Sequence, residues 1–232
     1  MQHVNTQHSD SEFLRHLACP ECGSSDGNSL YSDGHTHCFV CQHHTFADGT
    51  ETISTMKSNA QLKGSAVRLQ KRNLSESTLE KYKIYRDGNV LRFHYFSNEG
   101  VLLGAKIKTK DKNFSFEGNN DGSFFGQHLF PTTGKRVVIT EGELDSASCY
   151  EAMPGWPMVS LPSGAAAARK AIQRNLQWLQ GYEEIVLFFD NDEAGRKATE
   201  EACQVLPPGK VKVAVLQGDY KDASDALSAN DS

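Results

Sequence analysis

Asp190 and Asp192 stand two residues apart at the end of an apolar run, Ile185-Val-Leu-Phe-Phe. Such a run predicts a buried strand, and the residues from Glu193 to Leu206 predict a helix after it. Two carboxylates at the mouth of a strand repel one another unless a cation lies between them. Hard oxygen ligands of this kind suit Mg²⁺, which is held by one or two carboxylates plus substrate phosphates. The same aspartates would also serve to cap the following helix, and their spacing alone does not separate the two roles. A second junction favours the metal. Arg136-Val-Val-Ile-Thr140 predicts another strand, and it runs into Glu141-Gly142-Glu143-Leu144-Asp145 ahead of a helix near 144–153. In an open parallel sheet, ligands bind outside the carboxyl ends of the strands. Glu141, Asp190 and Asp192 are therefore expected to converge on one metal.

A different metal chemistry is written near the N-terminus. Cys19-Pro-Glu-Cys22 and Cys38-Phe-Val-Cys41 are two C-x₂-C knuckles separated by fifteen residues. This is the spacing of a four-thiolate zinc site, which closes the shell and makes the ion structural. The alternative is a pair of disulfides. The N-terminus has no basic start and no apolar stretch of a secretory signal, so reduced cysteines and a cytoplasmic setting are expected. Between the knuckles, Ser32-Asp33-Gly34-His35 predicts an exposed turn. Asp33 and His35 there are candidates for hydrogen bonds to base edges, or are ordinary turn residues. Cys149 and Cys203 fall in helix patterns and are expected to be buried.

The net charge of −5 is unevenly spread. Residues 1–56 hold one basic residue and seven acids, residues 57–116 hold thirteen basic residues and five acids, and residues 117–232 hold ten and seventeen. A basic block between acidic ones predicts a phosphate-binding face beside a metal-binding face. Within it, Lys106, Lys108, Lys110 and Lys112 alternate, so on an extended strand they would share one side. Polyphosphate or a nucleic-acid backbone is the natural cover for such a row, and a lysine-protected edge strand is the alternative.

The elements needed to position these groups follow. Residues 1–46 form a small β ribbon around zinc, and 47–65 a polar linker. Residues 66–133 form a mixed α+β basic subdomain. It has a helix at 74–82 capped by Ser75 and a hairpin of strands 89–96 and 101–109 joined by the turn 97–100. Residues 134–232 alternate strands 136–140, 157–161, 184–189 and 211–216 with helices near 144–153, 165–180 and 194–206. The fold class is α/β, with a mostly parallel sheet flanked by helices in this last segment. No apolar run approaches the ~18 residues of a membrane span.

The two acidic junctions together, Glu141-Gly142-Glu143-Leu144-Asp145 and Asp190-Asn-Asp192-Glu-Ala-Gly195, resemble the paired motifs of the TOPRIM fold. Preceded by a four-cysteine ribbon and a basic segment, they resemble the DnaG-type primases, above all those of the T7-like phage primase-helicases. Cys22 to Leu30, Ser32-Asp-Gly-His35, Lys110-Asp-Lys-Asn-Phe114, Phe125-Gly-x-His-Leu129 and Asp192-Glu-Ala-Gly-Arg-Lys-Ala198 carry the likeness, from Ser9 to about Asp225.

The resemblance implies a DNA-dependent RNA primase that makes short primers on single-stranded DNA. One structural Zn²⁺ would sit on Cys19, Cys22, Cys38 and Cys41. Catalytic Mg²⁺ would sit on Glu141, Asp190, Asp192 and, through the Lys221-Asp222 motif, Asp222. It also implies nucleotide-contacting roles for Lys106 and Lys112, a proton-removing or metal-proximal role for Glu141, and template reading by Asp33 and His35. Partners would be the template, ribonucleoside triphosphates, a replicative helicase and a DNA polymerase, in the host cytoplasm for a phage protein and away from membranes. No G-x₄-G-K-[ST] loop occurs, so ATP-driven unwinding is not expected of this chain. The alternative is a nuclease-type or non-catalytic TOPRIM protein of recombination or repair.

Overall fold

The computed structural model describes residues 11–20, 23–39, 43–45 and 60–229. The chain divides into two units, Met1–Lys57 and Ser58–Ser232. The first is a meander of short antiparallel strands in chain order: β1 (Phe13–Leu17), β2 (Asn28–Tyr31), β3 (Thr36–Cys38) and β4 (His44–Thr45). Cys19 follows β1, Cys38 ends β3, and both are buried. Gly23, with φ +67°, lets the chain double back so that its amide donates to the Cys19 carbonyl at 3.0 Å. The Cys38 amide likewise donates to the His43 carbonyl at 2.8 Å. Cys22 and Cys41, the other two expected thiolates, lie outside the described residues.

The second unit stacks two sheets. An antiparallel meander comprises β5 (Ile84–Asp87), β6 (Val90–Phe96), β7 (Leu102–Lys108) and β8 (Phe114–Gly118). Helix α1 (Glu76–Tyr82) precedes it, and the Ser75 hydroxyl caps that helix by accepting from the Thr78 amide. The hairpin of β6 and β7 stands where the sequence predicts it. The expected lysine row does not. β7 ends at Lys108, and residues 109–113 turn back to start β8, with the Lys112 amide donating to the Thr109 carbonyl at 3.1 Å. Lys112 sits in the left-handed region at φ +61°. Lys106 and Lys108 share a strand face, whereas Lys110 and Lys112 belong to the turn.

The parallel sheet has the order β10-β9-β11-β12, from β9 (Gly134–Thr140), β10 (Met158–Ser160), β11 (Tyr182–Phe188) and β12 (Val211–Val213). Helix α2 (Glu143–Ala152) follows β9, and α3 (Ala168–Arg174) with α4 (Leu176–Gln180) follow β10. Then α5 (Glu193–Cys203) follows β11 and α6 (Ala223–Ala229) ends the described chain. The single helix expected over 165–180 is in fact a 3₁₀ turn and two short helices. Buried Asn175 divides them, its side-chain amide donating to the carbonyls of Ala171 and Gly122 at 2.8 and 2.9 Å.

Successive β9 residues feed opposite cores, as a strand covered on both faces requires. Val137 and Ile139 join Ile172, Leu179, Ile185, Leu187 and Ala202 on one side. Val138 joins Leu144, Met158, Phe93 and Tyr95 on the other, which ties the meander to the parallel sheet. Cys149 is buried as expected, but Cys203 is exposed, because α5 turns that side to solvent. Among the described residues no helix is long and apolar enough to cross a membrane.

Candidate active site

β9 sends the chain to α2 and β10 on one side, while β11 flanks its other side. The topological switch therefore lies between β9 and β11, where an open parallel sheet has its ligand crevice. Thr140 pairs with Phe188 across these two strands. Glu141 and Asp190 leave adjacent strand ends within two residues of that pairing.

Glu141 has a buried Oε2 with no hydrogen-bond partner among the described residues. Burial, then the nearby charge of Asp190, raises its carboxyl above the ordinary value against the Ala165 amide, which lowers it. Asp190 is raised as well, first by burial. Asp192 accepts from the Gly195 amide at 2.9 Å and caps α5, and that bond holds its carboxyl below the usual range. The cap and the metal-facing readings of this pair are thus compatible, because Oδ1 of Asp192 serves the helix while Oδ2 faces a cation. That cation is Lys221, whose Nζ lies 3.3 Å from Asp190 Oδ2 and 3.4 Å from Asp192 Oδ2. The Lys221 carbonyl also accepts from the Asn191 amide at 2.7 Å, which fixes the 219–222 loop against this junction.

Asp222 caps the first turn of α6 through the Asp225 amide at 2.7 Å. Its charge and that of Asp190 add to burial in pushing Asp145 up to about 7. Asp145 accepts from the Ser224 amide at 3.1 Å. As the side chains stand, no three of the described carboxylates, histidines and cysteines surround one point closely enough to hold an ion. The donor set nonetheless fits a hard divalent cation: hard oxygens only, one of them orphaned, with an ammonium between two of them.

The glycine of the second motif has a steric cause. A Cβ on Gly195 would stand 2.1 Å from the Asp190 carbonyl oxygen. The first turn of α5 packs directly on the backbone of the candidate ligand. Gly195→Ala is expected to lower the melting temperature by several degrees, read by thermal unfolding.

Lys106 reaches from β7 to Glu143 of α2, with Nζ 2.8 Å from Oε1, and to the Pro162 carbonyl at 3.4 Å. Lys108 is pushed below its ordinary value, first by burial and then by the Arg72 charge. Sequence reasoning names Glu141, Asp190, Asp192 and Asp222, and the fold brings the first two to neighbouring strand ends. It misses Lys221 as the resident cation, Asp145 as a half-buried acid with a raised carboxyl, and Glu143 as the partner of Lys106.

In the first unit, Asp33 Oδ1 accepts from the His35 amide at 3.1 Å and lies 2.6 Å from His35 Nδ1. Desolvation raises the Asp33 carboxyl, but bonds from the His35 amide, Ser11 and the His35 ring outweigh it and leave it below the ordinary value. The His35 ring stacks on Tyr31 at 4.2 Å. A carboxylate on Nδ1 requires the proton there, so Nε2 is the acceptor of a neutral His35.

A model described as Toprim-like matches residues 138–227, and one described as the zinc-binding domain of primase-helicase matches residues 14–50. A DNA helicase/primase of Enterobacteria phage T3 is 40% identical over 93% of this chain, which covers 41% of that protein's length. The crystal structure of the primase fragment of the bacteriophage T7 primase-helicase protein is 39% identical. It superposes with a TM-score of 0.66 over 95% of this chain and 97% of the fragment. This chain belongs to the same primase family. In a second solved structure, T7 primase domains are bound to an RNA/DNA hybrid and dTTP and interact with the lagging-strand DNA polymerase. Its matched chain is 40% identical over 72% of this chain, with a TM-score of 0.66. The zinc-binding match lies in the first unit and the Toprim-like match in the second.

Proposed function

We propose that the protein is a DNA-dependent RNA primase that joins ribonucleotides on a single-stranded DNA template. The observation that carries this is the crevice between β9 and β11. An unpartnered Glu141 oxygen and the Asp190/Asp192 pair open there in a chain of primase family. Asp190, Asp192, Asp222 and Glu141 would hold Mg²⁺, with Lys221 withdrawing as the ion arrives. Bound there, Mg²⁺ supplies charge neutralisation for an in-line displacement on the incoming triphosphate. Lys106, and Lys112 from its turn, place positive charge where phosphate oxygens gain negative charge. Glu141, raised by burial, is suited to take the proton of the attacking 3′-hydroxyl.

In the first unit, Cys19, Cys22, Cys38 and Cys41 hold one structural Zn²⁺, and Asp33 and His35 of the turn between the knuckles read the template. Residues 1–46 are read as the ribbon, 47–65 as linker, 66–133 as basic subdomain and 134–232 as catalytic subdomain. The complexes of the T7 relative support a replicative polymerase and an RNA/DNA hybrid as partners, and its primase-helicase composition supports a helicase. The site of action is the host cytoplasm.

Single-stranded DNA, Mg²⁺ and labelled ribonucleotides should yield short RNA products. Cleavage of the DNA without ribonucleotide incorporation would favour a nuclease instead, and binding with neither product a non-catalytic module.

The raised acids carry a pH signature. Asp145 titrates near 7 in the folded chain and near its ordinary 3.8 when unfolded, so the folded state binds more protons between those values. Stability therefore falls as pH rises through this window in metal-free protein. Its melting temperature should drop by several degrees from pH 5.5 to 7.5, and Asp145→Asn should remove much of that drop in calorimetry.

A further inference from the structure

We propose that Glu143 is a positioning residue for nucleotide binding, acting through Lys106. This rests on the primase reading, in which Lys106 meets the phosphates of the incoming ribonucleotide. Glu143 begins α2 and is 5% exposed. Its Oε1 accepts from Lys106 Nζ at 2.8 Å and from the buried Tyr95 hydroxyl at 2.7 Å. Tyr95 and Lys106 come from adjacent strands, β6 and β7, and lie on one face of the meander, because Tyr95 pairs with Gly104 and Phe93 with Lys106. One carboxylate oxygen thus joins two strands of the basic sheet to the first turn of the helix that follows Glu141.

The arrangement does more than fill space. A free lysine stem samples many rotamers. Left unpinned, the ammonium must lose that freedom each time a nucleotide binds. Glu143 and the Pro162 carbonyl take two of its three N–H donors, which leaves one for an external anion. Glu143, being buried and doubly bonded, is held in place by the core, so it fixes the lysine. Its charge is needed to hold an ammonium at 19% side-chain exposure.

A double-mutant cycle on ribonucleotide affinity tests this. The full chain would be titrated with fluorescently labelled ribonucleoside triphosphates, each in turn, in Mg²⁺ and a mixed-sequence single-stranded DNA. Glu143→Gln preserves shape and removes charge, and should weaken binding about tenfold, as should Lys106→Met. The double variant should bind no more weakly than Lys106→Met alone. Losses that multiply to about a hundredfold, or a Glu143→Gln chain that binds normally, overturn the proposal. Should Glu143→Gln melt far below the parent, Tyr95→Phe replaces it in the same cycle. Its weaker binding, about threefold, must then vanish when Lys106 is Met, and persistence there overturns the proposal too. A parent chain that binds no ribonucleotide would sink the primase reading itself, with normal melting of every variant marking that separate failure.

Discussion

Asp190→Asn should lower primer synthesis by about 10³-fold or more, while single-stranded DNA binds within about twofold of the parent. The substitution removes one negative charge and almost no volume. The backbone around it is held by Gly195 packing on its carbonyl and by the Asn191 amide on the Lys221 carbonyl, and neither contact involves the side chain. Burial raises the Asp190 carboxyl, so losing its charge should leave metal-free melting unchanged or slightly higher. The measurements are incorporation of labelled ribonucleotides, DNA-binding anisotropy and calorimetry. Lost synthesis accompanied by a large fall in melting temperature would assign Asp190 to the fold instead of to a metal.

Cys38→Ser is expected to take zinc content from one ion per chain to none and to unfold the ribbon. The catalytic unit should keep its own melting transition. The first unit spans Met1–Lys57, and its described residues form four strands of two to five residues. A core of that size rarely stands without a metal or disulfides. Structural zinc in such peptides contributes about 10–16 kcal/mol at neutral pH. Primer starts at preferred template sites should fall by roughly 10²-fold or more with it, since one site-selecting contact alone discriminates by ~1–3 kcal/mol and the whole set is lost. Metal analysis and start-site mapping decide the matter. Full zinc in the variant would remove the four-thiolate site, and unchanged start sites would remove the reading role of Asp33 and His35.

The parts of this molecule that could be read from sequence are those whose cause is local. Apolar runs ending in acids mark the inner halves of β9 and β11, because the stretch of a strand covered on both faces favours apolar residues, while Arg136 and Glu184 pair at the partly exposed starts of the same strands. The helix at Ser75 is visible because a hydroxyl cap acts over three residues. Ser97 to Gly100 turns for similar reasons. What escaped depends on distant partners. The lysine alternation suggests a strand to residue 112, yet β8 has to fold back beside β7 and needs the turn at 109–113. Asn175 breaks a helix because it bonds Gly122, far away in the chain. Lys106 and Glu143 are 37 positions apart, and Lys221 reaches back to Asp190 from another loop. Periodicity carries no trace of such pairings. The Asp190/Asp192 ambiguity between cap and ligand was genuine, since Asp192 has one oxygen in each environment.

The ammonium of Lys221 has a consequence for how this centre meets its ion. It offsets the charge of both aspartates in the folded chain, at 3.3 Å from one and 3.4 Å from the other. On the proposed reading, a divalent cation would have to displace this tethered rival, which would make occupancy a contest of charge density. Two positive charges on a small ion would have the advantage there over the single charge of a monovalent ion. Such a placeholder would sort ions by valence before any ligand geometry is consulted.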